Sequence, residues 1–299
     1  MSTSAFGSVI TAMVSPFDDE HRLDLDTAHE LAQWLTRPGW NDGLVVNGTT
    51  GESTTTTDHE KQQLIEVVVQ AVAGRAKVIA GVGTSDTRHS IELARAAEAA
   101  GADGLLVVTP YYSRPSQDGI LQHLRAIGDS TTLPIMLYDI PKRAGVALEP
   151  STLAAAGEHE RIVALKDAKG DLESASWVIS HTDLAVYSGD DALNLPLLSV
   201  GAVGFVSVVG HVAAGELRDL LDAYTAGDVA RARLLHQRLL PIYQGMFLAP
   251  GAASAKAALA TMGMGNGQVR PPLVGLSQQE RNLLVKALTE ADCSPALVV

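Results

Sequence analysis

An eightfold alternation of short apolar segments with helical segments most constrains the fold of this chain. Each apolar segment is five or six residues long, and most are rich in Val, Ile and Leu, which is typical of strands buried on both faces of a parallel sheet. The eight predicted strands lie at residues 9–14, 43–47, 77–81, 104–109, 134–138, 162–166, 184–188 and 204–208. Eight such units predict a closed (β/α)₈ barrel, and a doubly wound open sheet is the alternative.

Helical patterns fill the segments between the predicted strands. Residues 26–35 carry leucines at helical spacing, residues 58–73 begin at an acidic cap, and residues 90–100 are alanine-rich and end before a glycine. Beyond the last strand, four helical runs follow at residues 216–225, 228–243, 252–262 and 278–289. We therefore predict a barrel over residues 1–225 and a small C-terminal helical extension over residues 226–299.

The composition argues against several classes of protein. Of 299 residues, 46% are hydrophobic and 19% are charged, so a large folded core is expected. The net charge is −12 and no basic run occurs, which argues against a nucleic-acid partner. No apolar stretch reaches the roughly 18 residues of a membrane span, and the polar N-terminus has no apolar signal region. We expect a cytoplasmic protein with no membrane partner.

The sequence also lacks the patterns of common metal and nucleotide sites. Cys293 is the only cysteine, which excludes an internal disulfide and a cysteine-based metal cluster. The nine histidines show no metal-ligand spacing. The Gly-Val-Gly segment at residues 81–83 lacks the third glycine of a dinucleotide fingerprint, so a turn at a strand end is the better interpretation.

Lys166 is unusual because it closes one of the apolar predicted strands, residues 162–166. A cation in that position costs free energy unless it is paired, neutralised or used. Burial favours the neutral amine, and a neutral amine can attack a carbonyl to form a Schiff base. The alternative is that Lys166 extends to the surface beside Asp167 and Asp171.

Other reactive side chains also follow predicted strands, and in a (β/α)₈ barrel the chemistry takes place at the C-terminal ends of the strands. They are Thr49, Thr50, Tyr138 and Arg143. An imine-forming lysine needs a phenol to move protons and hydroxyls to hold a carboxylate. Taken singly, each has a structural alternative, since Tyr138 could pack in the core and Arg143 could be a solvated charge. One of Asp190 and Asp191 is expected to cap a helix.

Five motifs resemble those of the dihydrodipicolinate synthase family, in the family's order and spacing. They are Gly-Thr-Thr-Gly-Glu at residues 48–52, Thr-Pro-Tyr-Tyr at 109–112, Tyr-Asp-Ile-Pro-Lys-Arg-Ala-Gly at 138–145, Leu-Lys-Asp-Ala at 165–168 and Ser-Gly-Asp-Asp at 188–191. The resemblance extends from about residue 9 to residue 288. This family belongs to the class I pyruvate-dependent lyase superfamily, which also contains N-acetylneuraminate lyase.

The resemblance implies a catalytic role for four residues. Lys166 would form the imine with pyruvate, and Tyr138 would move protons to and from the imine and aldol oxygens. Thr49 would connect Tyr138 to Tyr112, which in the family reaches in from a neighbouring subunit. An intact site would therefore require at least a dimer, and the family is most often a tetramer built as a dimer of dimers.

The resemblance implies a substrate-binding role for four further residues. Thr50, partly through its backbone N–H, would hold the pyruvate carboxylate. Arg143 would bind the carboxylate of the incoming aldehyde, which suits a planar guanidinium. Gly189 and Val206 match backbone positions near the site.

The implied reaction is a condensation of pyruvate with L-aspartate 4-semialdehyde, on the pathway to diaminopimelate and lysine. No metal or organic cofactor is needed, because the lysine supplies the electron sink. One alternative is a related aldolase or lyase that acts on a 2-keto-3-deoxy sugar acid, although Arg143 and the Gly-Thr-Thr-Gly motif favour the synthase. A catalytically silent barrel is the other alternative.

The resemblance also bears on regulation by lysine. In lysine-inhibited relatives, histidines, an asparagine and a glutamate form a feedback site at a subunit interface. Counted without gaps from the Gly-Thr-Thr-Gly-Glu motif, Asp58 and Lys61 stand at the histidine positions, Ser85 replaces the asparagine and His89 replaces the glutamate. Because the carboxylate that would pair with the ligand's ammonium group is missing, we predict weak or absent inhibition by lysine.

Overall fold

A computed structural model describes residues 5–293 and contains a closed barrel of eight parallel strands in sequential order. The strands are β1 (Val9–Ala12), β2 (Gly43–Val46), β3 (Lys77–Gly81), β4 (Gly104–Val108), β5 (Ile135–Asp139), β6 (Ile162–Asp167), β7 (Ala185–Ser188) and β8 (Gly204–Ser207). The β1 strand pairs with both β2 and β8, which closes the barrel. The predicted (β/α)₈ fold is confirmed, and all eight strands lie within or within one residue of the predicted segments.

Helices surround the barrel and follow its strands along the chain. They are α1 (Leu25–Leu35), α2 (Asp58–Val72), α3 (Thr87–Ala99), α4 (Gln117–Gly128), α5 (Pro141–Ala144), α6 (Pro150–Gly157), α7 (Leu172–His181), α8 (Asn194–Ser199), α9 (Gly210–Thr225), α10 (Val229–Gly245), α11 (Gly251–Thr261) and α12 (Gln278–Glu290). The α3 helix begins three residues before its predicted start because the Asp86 side chain accepts a hydrogen bond from the Arg88 N–H and caps it. The α2 helix begins with a capping box formed by Thr57 and Glu60.

Two layers of apolar side chains form the core. One layer lies between the strands and the surrounding helices, and the other fills the inside of the barrel. The inner layer includes Ile10, Val45, Ile79, Met136 and Val206. Because side chains alternate along a strand, the inner layer fixes which residues near the strand ends face the barrel mouth.

The helices α10 and α11 each pack on α9 and on α12. The α9 helix begins at Gly210, six residues before its predicted start, directly after the barrel's last strand. The division of the chain into a barrel and an extension at residue 225 stays a prediction. Within residues 5–293, no helix is both long enough and apolar enough to cross a membrane.

Candidate active site

Lys166 and Tyr138 lie side by side inside the mouth of the barrel. They are paired positions on the neighbouring strands β6 and β5, so their side chains point into the barrel together. Both residues are 5% exposed. The Lys166 ammonium nitrogen lies 4.1 Å from the centroid of the Tyr138 ring. Lys166 therefore does not extend to solvent, and the surface alternative is wrong.

Burial lowers the pKa of Lys166 to about 8, mainly because removal of water disfavours the charged form. The positive charge of Arg143 lowers this pKa further, and the carboxylate of Asp191 opposes both effects. Among the described residues, no carboxylate lies within 4.0 Å of the Lys166 ammonium group. The site therefore favours a neutral amine more than an ordinary lysine does, as nucleophilic attack requires.

Burial raises the pKa of Tyr138 to about 12. The neighbouring Thr49 side chain and the positive charge of Arg143 lower the pKa of Tyr138 and favour the phenolate. The phenol is thus protonated at rest, and the two groups that would stabilise its anion are already in place. This arrangement suits a residue that gives up a proton and takes it back.

Thr49 and Thr50 lie in the loop that follows β2, between Asn47 and Glu52, which both have positive φ angles. Thr49 is exposed and reaches Tyr138, whereas Thr50 is buried. Left-handed backbone at two non-glycine residues is uncommon and persists only where neighbouring contacts hold it. The loop is therefore fixed at the mouth rather than free to vary.

Gly189 and Val206 line the same end of the barrel. A side chain at Gly189 would place its Cβ atom 3.0 Å from the Lys166 Cγ atom and 3.0 Å from the Asp167 carbonyl oxygen. A larger residue at this position would force the neighbouring atoms, including the Lys166 side chain, to shift, so glycine suits this close approach. Val206 is fully buried in the inner layer that also contains Tyr138.

The sequence indicated only that Asp190 or Asp191 caps a helix, whereas the structure places the Asp191 carboxylate where it acts on Lys166. Asp190 caps the short 3₁₀ helix Asp191–Leu193, as one of the two aspartates was expected to do. Asp191 is instead buried, where its carboxylate accepts hydrogen bonds from the Ser207 hydroxyl and from the backbone N–H groups of Val208 and Val209. It is the main negative charge acting on Lys166.

The doubled aspartate at the end of β7 was the only sequence signal for this role. It did not show which of the two side chains turns inward. The hydrogen-bond donors come from the end of β8, which lies next to β7 only in the folded barrel.

The structure does not bring every predicted residue into the site of a single chain. Arg143 is exposed on the short helix α5, yet its charge acts on both Lys166 and Tyr138, so it lies near the opening. Tyr112 is 95% exposed and has a φ angle of 70°. Within one chain, this side chain is therefore not packed against Lys166.

No group of three or more His, Cys, Asp or Glu side chains that could hold a metal ion occurs in the described part of the chain. A closed barrel with a desolvated lysine beside a tyrosine at its mouth suits an enzyme whose lysine amine acts as a nucleophile.

Comparison with known proteins narrows this class. Residues 5–291 match the Dihydrodipicolinate synthetase family. The chain is 58% identical over 279 residues to 4-hydroxy-tetrahydrodipicolinate synthase 2 of Streptomyces coelicolor, an alignment that covers 93% of each sequence. The chain therefore belongs to the dihydrodipicolinate synthetase family and is an enzyme of the lyase type.

Two solved structures agree with this assignment. A dihydrodipicolinate synthase from Bacillus anthracis is 42% identical, with a TM-score of 0.92 and coverage of 95% of this chain and 98% of its own. The enzyme from Cyanidioschyzon merolae, solved with lysine bound, is 39% identical with a TM-score of 0.94, and the match covers 97% and 99% of the two chains.

Proposed function

We propose that this enzyme condenses pyruvate with L-aspartate 4-semialdehyde, as a 4-hydroxy-tetrahydrodipicolinate synthase of the pathway to diaminopimelate and lysine. The observation that carries the proposal is Lys166, a buried lysine with a pKa near 8 that lies against Tyr138 at the barrel mouth. Family membership supports the same activity.

The first half of the reaction activates pyruvate. The neutral Lys166 amine attacks the ketone carbon of pyruvate, and loss of water gives an imine. Tyr138 donates the proton that the departing oxygen needs and then accepts one when the imine becomes an enamine. In this proposal, Thr50 holds the pyruvate carboxylate, partly through its backbone N–H.

The second half joins the two substrates. The enamine carbon attacks the aldehyde, and Tyr138 protonates the resulting alkoxide. The amino group of the semialdehyde substrate then attacks the imine carbon, which closes a six-membered ring and releases Lys166 as a free amine. Atoms and charges balance without a further reactant, since the water lost in forming the imine is the only by-product before any dehydration of the ring.

Arg143 favours the semialdehyde over a sugar-derived aldehyde. Its exposed guanidinium at the opening suits a second carboxylate, which the semialdehyde has and a simple sugar aldehyde lacks. We expect Arg143→Met to raise the KM for the semialdehyde by about tenfold or more, since a charge-assisted pair is worth roughly 1.5–3 kcal/mol. Lys142→Met, one residue away on the same short helix, is the matched control and leaves that KM unchanged.

A rate assay with pyruvate held constant tests the substrate. The proposal predicts rapid consumption of L-aspartate 4-semialdehyde and slow reaction with glyceraldehyde or a longer sugar aldehyde. A clear preference for the sugar aldehydes would contradict it and favour the sugar-acid aldolase.

Tyr112 supports a second proposal, that the site is completed in a homo-oligomer. An aromatic side chain that is 95% exposed in one chain, in a strained left-handed conformation, is suited to contact a second copy. Mixing inactive Tyr112→Phe subunits with inactive Lys166→Met subunits tests this. Random pairing predicts about a quarter of wild-type activity, because half of the pairs are mixed and each holds one intact site. Activity that stays absent would contradict a shared site.

We also propose that lysine inhibits this enzyme weakly or not at all. Lys61 is buried and donates to the Thr56 carbonyl oxygen at 2.5 Å, and His89 contacts the Asp58 carboxylate at 2.9 Å. The region thus already holds its own ammonium group, and the Asp58 carboxylate is occupied by His89 and by Lys61, whose ammonium nitrogen lies 3.8 Å away. Titration of lysine into the rate assay tests the proposal, and half-inhibition well below millimolar lysine would contradict it.

A further inference from the structure

A buried ion pair links the C-terminal helices to the loop that carries Thr49 and Thr50. The Lys256 ammonium nitrogen lies 2.5 Å from the Glu52 Oε1 atom, and the two side chains are 4% and 1% exposed. Lys256 belongs to α11, 204 residues away along the chain. Neither residue takes part in the mechanism above.

Both charged groups of the pair have further contacts besides each other. Lys256 also donates to the Gln268 carbonyl oxygen at 2.9 Å and lies 3.9 Å from the centroid of the Phe17 ring. The second Glu52 oxygen accepts the Arg270 backbone N–H at 2.9 Å. A buried carboxylate with partners on both oxygens has one well-defined position.

Arg270 extends these contacts along the same loop. Its guanidinium donates to the Thr55 carbonyl oxygen at 2.8 Å and to both carboxylate oxygens of Glu60 in the first turn of α2. It donates to the His21 carbonyl oxygen as well. The segment from Glu52 to Glu60 is therefore attached to the C-terminal region at three points.

Glu52 is also where the loop turns back. Its φ angle of 53° is left-handed, and its backbone N–H donates to the Thr49 carbonyl oxygen at 3.1 Å. The next residue, Ser53, donates to the Gly48 carbonyl oxygen. A left-handed glutamate costs free energy, so its side-chain contacts hold the turn that sets where Thr49 and Thr50 lie.

We propose that Glu52, Lys256 and Arg270, here called the Glu52 network, position Thr49 and Thr50 for catalysis. Lys256 is then a positioning residue that acts through Glu52 and never contacts substrate. The proposal rests on the proposed function for the roles of the two threonines. It assigns to the C-terminal helical region a part in pyruvate binding and in proton transfer.

Hydrogen exchange of the full-length protein measures the positioning directly and needs no substrate. We expect Lys256→Met to speed the exchange of the Glu52 and Ser53 amides, because their hydrogen-bonded turn is released. Arg238→Met is the matched control. Arg238 also lies on a C-terminal helix and forms an ion pair, with Asp292, but this pair is exposed and far along the chain from the loop. This control is expected to exchange like the wild type in residues 47–57.

Steady-state kinetics well below the unfolding temperature give the catalytic readout. Lys256→Met is expected to raise the KM for pyruvate about tenfold through Thr50 and to lower kcat through Thr49, because small displacements of catalytic groups are costly. Unchanged exchange at residues 49–55 together with unchanged KM and kcat would overturn the proposal, whatever the unfolding temperature.

The double variant Glu52→Gln/Lys256→Met covers the case in which the single variant does not fold. It removes both charges and so leaves no isolated buried charge. We expect it to fold and to keep the fast exchange and the raised KM, whereas wild-type values for both would overturn the proposal. If the wild type itself forms no imine with pyruvate, the proposed function fails, while the exchange result still decides the role of the network.

Discussion

Two buried lysines of this protein have similar surroundings but differ in whether a carboxylate contacts them. Lys166 and Lys256 are 5% and 4% exposed, and burial lowers the pKa of each to about 8. Each ammonium group lies over an aromatic ring, at 4.1 Å from Tyr138 and 3.9 Å from Phe17. Only Lys256 has a carboxylate in contact, and among the described residues Lys166 has none within 4.0 Å.

If the proposed mechanism holds, burial alone does not make a lysine reactive. Lys256 offsets its desolvation with Glu52 and with the Gln268 carbonyl oxygen, so its charge stabilises one arrangement of the chain. Lys166 is left without such a partner, and its charged form carries the cost of burial. An unpaired buried amine at a barrel mouth loses its proton at a lower pH than an ordinary lysine, and the neutral amine is the state that imine formation needs.

The largest expected effect is on stability, and it has opposite signs for the two lysines. Lys256→Met leaves Glu52 buried without its partner and should lower the free energy of unfolding by about 3–5 kcal/mol. Lys166→Met removes an uncompensated charge and should raise the free energy of unfolding by about 3 kcal/mol at pH 7, since the lowered pKa of Lys166 corresponds to about 1.4 kcal/mol per pKa unit. Denaturant titrations of both variants measure this. Equal destabilisation by the two substitutions would break the comparison.

The stability gained by Lys166→Met should depend on pH. The pKa of Lys166 is about 8 in the folded protein and 10.5 in the ordinary case, so the unfolded chain binds more protons between these values. The free energy of unfolding of the wild type therefore rises as the pH rises from about 8 to about 10.5. The variant has no titrating group at this position, so its free energy of unfolding lacks this rise. We expect the advantage of Lys166→Met to be complete below pH 8 and to vanish near pH 10.5. An advantage that stays constant over this range would contradict the lowered pKa.

A smaller effect is expected from Asp191, whose carboxylate raises the pKa of Lys166. Asp191→Asn should lower that pKa and speed imine formation at pH 7 about two- to threefold, since a larger fraction of the amine is neutral. Brief reaction with pyruvate at each pH, followed by a quench into borohydride at one fixed pH, measures the rate. Asp190→Asn is the matched control, because Asp190 only caps a 3₁₀ helix. A shift of the pH profile to higher pH in Asp191→Asn would refute the role assigned to Asp191.

The repeat of apolar strands was enough to predict the barrel, because buried parallel strands leave a periodic signal in the sequence. The strand ends then indicated Lys166, Tyr138 and Thr49, since barrel geometry alone brings those ends together. Contacts between segments far apart in the chain left no such signal. Glu52 and Lys256 are 204 residues apart, and nothing in either local sequence indicates their pairing.

The orientation of side chains at the strand ends also could not be predicted from the sequence. Asp190 and Asp191 have the same chemistry and adjacent positions, yet one caps a helix and the other turns into the core. The hydrogen-bond donors at Val208 and Val209 decide between them, and these donors come from the neighbouring strand's end. A helix or strand pattern predicts where a residue lies along the chain, but packing decides which buried partner it meets.

The central claim is that Lys166, rather than Lys256 or any other lysine, forms the imine with pyruvate. Incubation of the wild-type protein with pyruvate, reduction with borohydride and peptide mapping by mass spectrometry test it directly. We predict one stable adduct, located on Lys166 and absent from Lys166→Met. An adduct on another lysine, or none at all, would contradict the account.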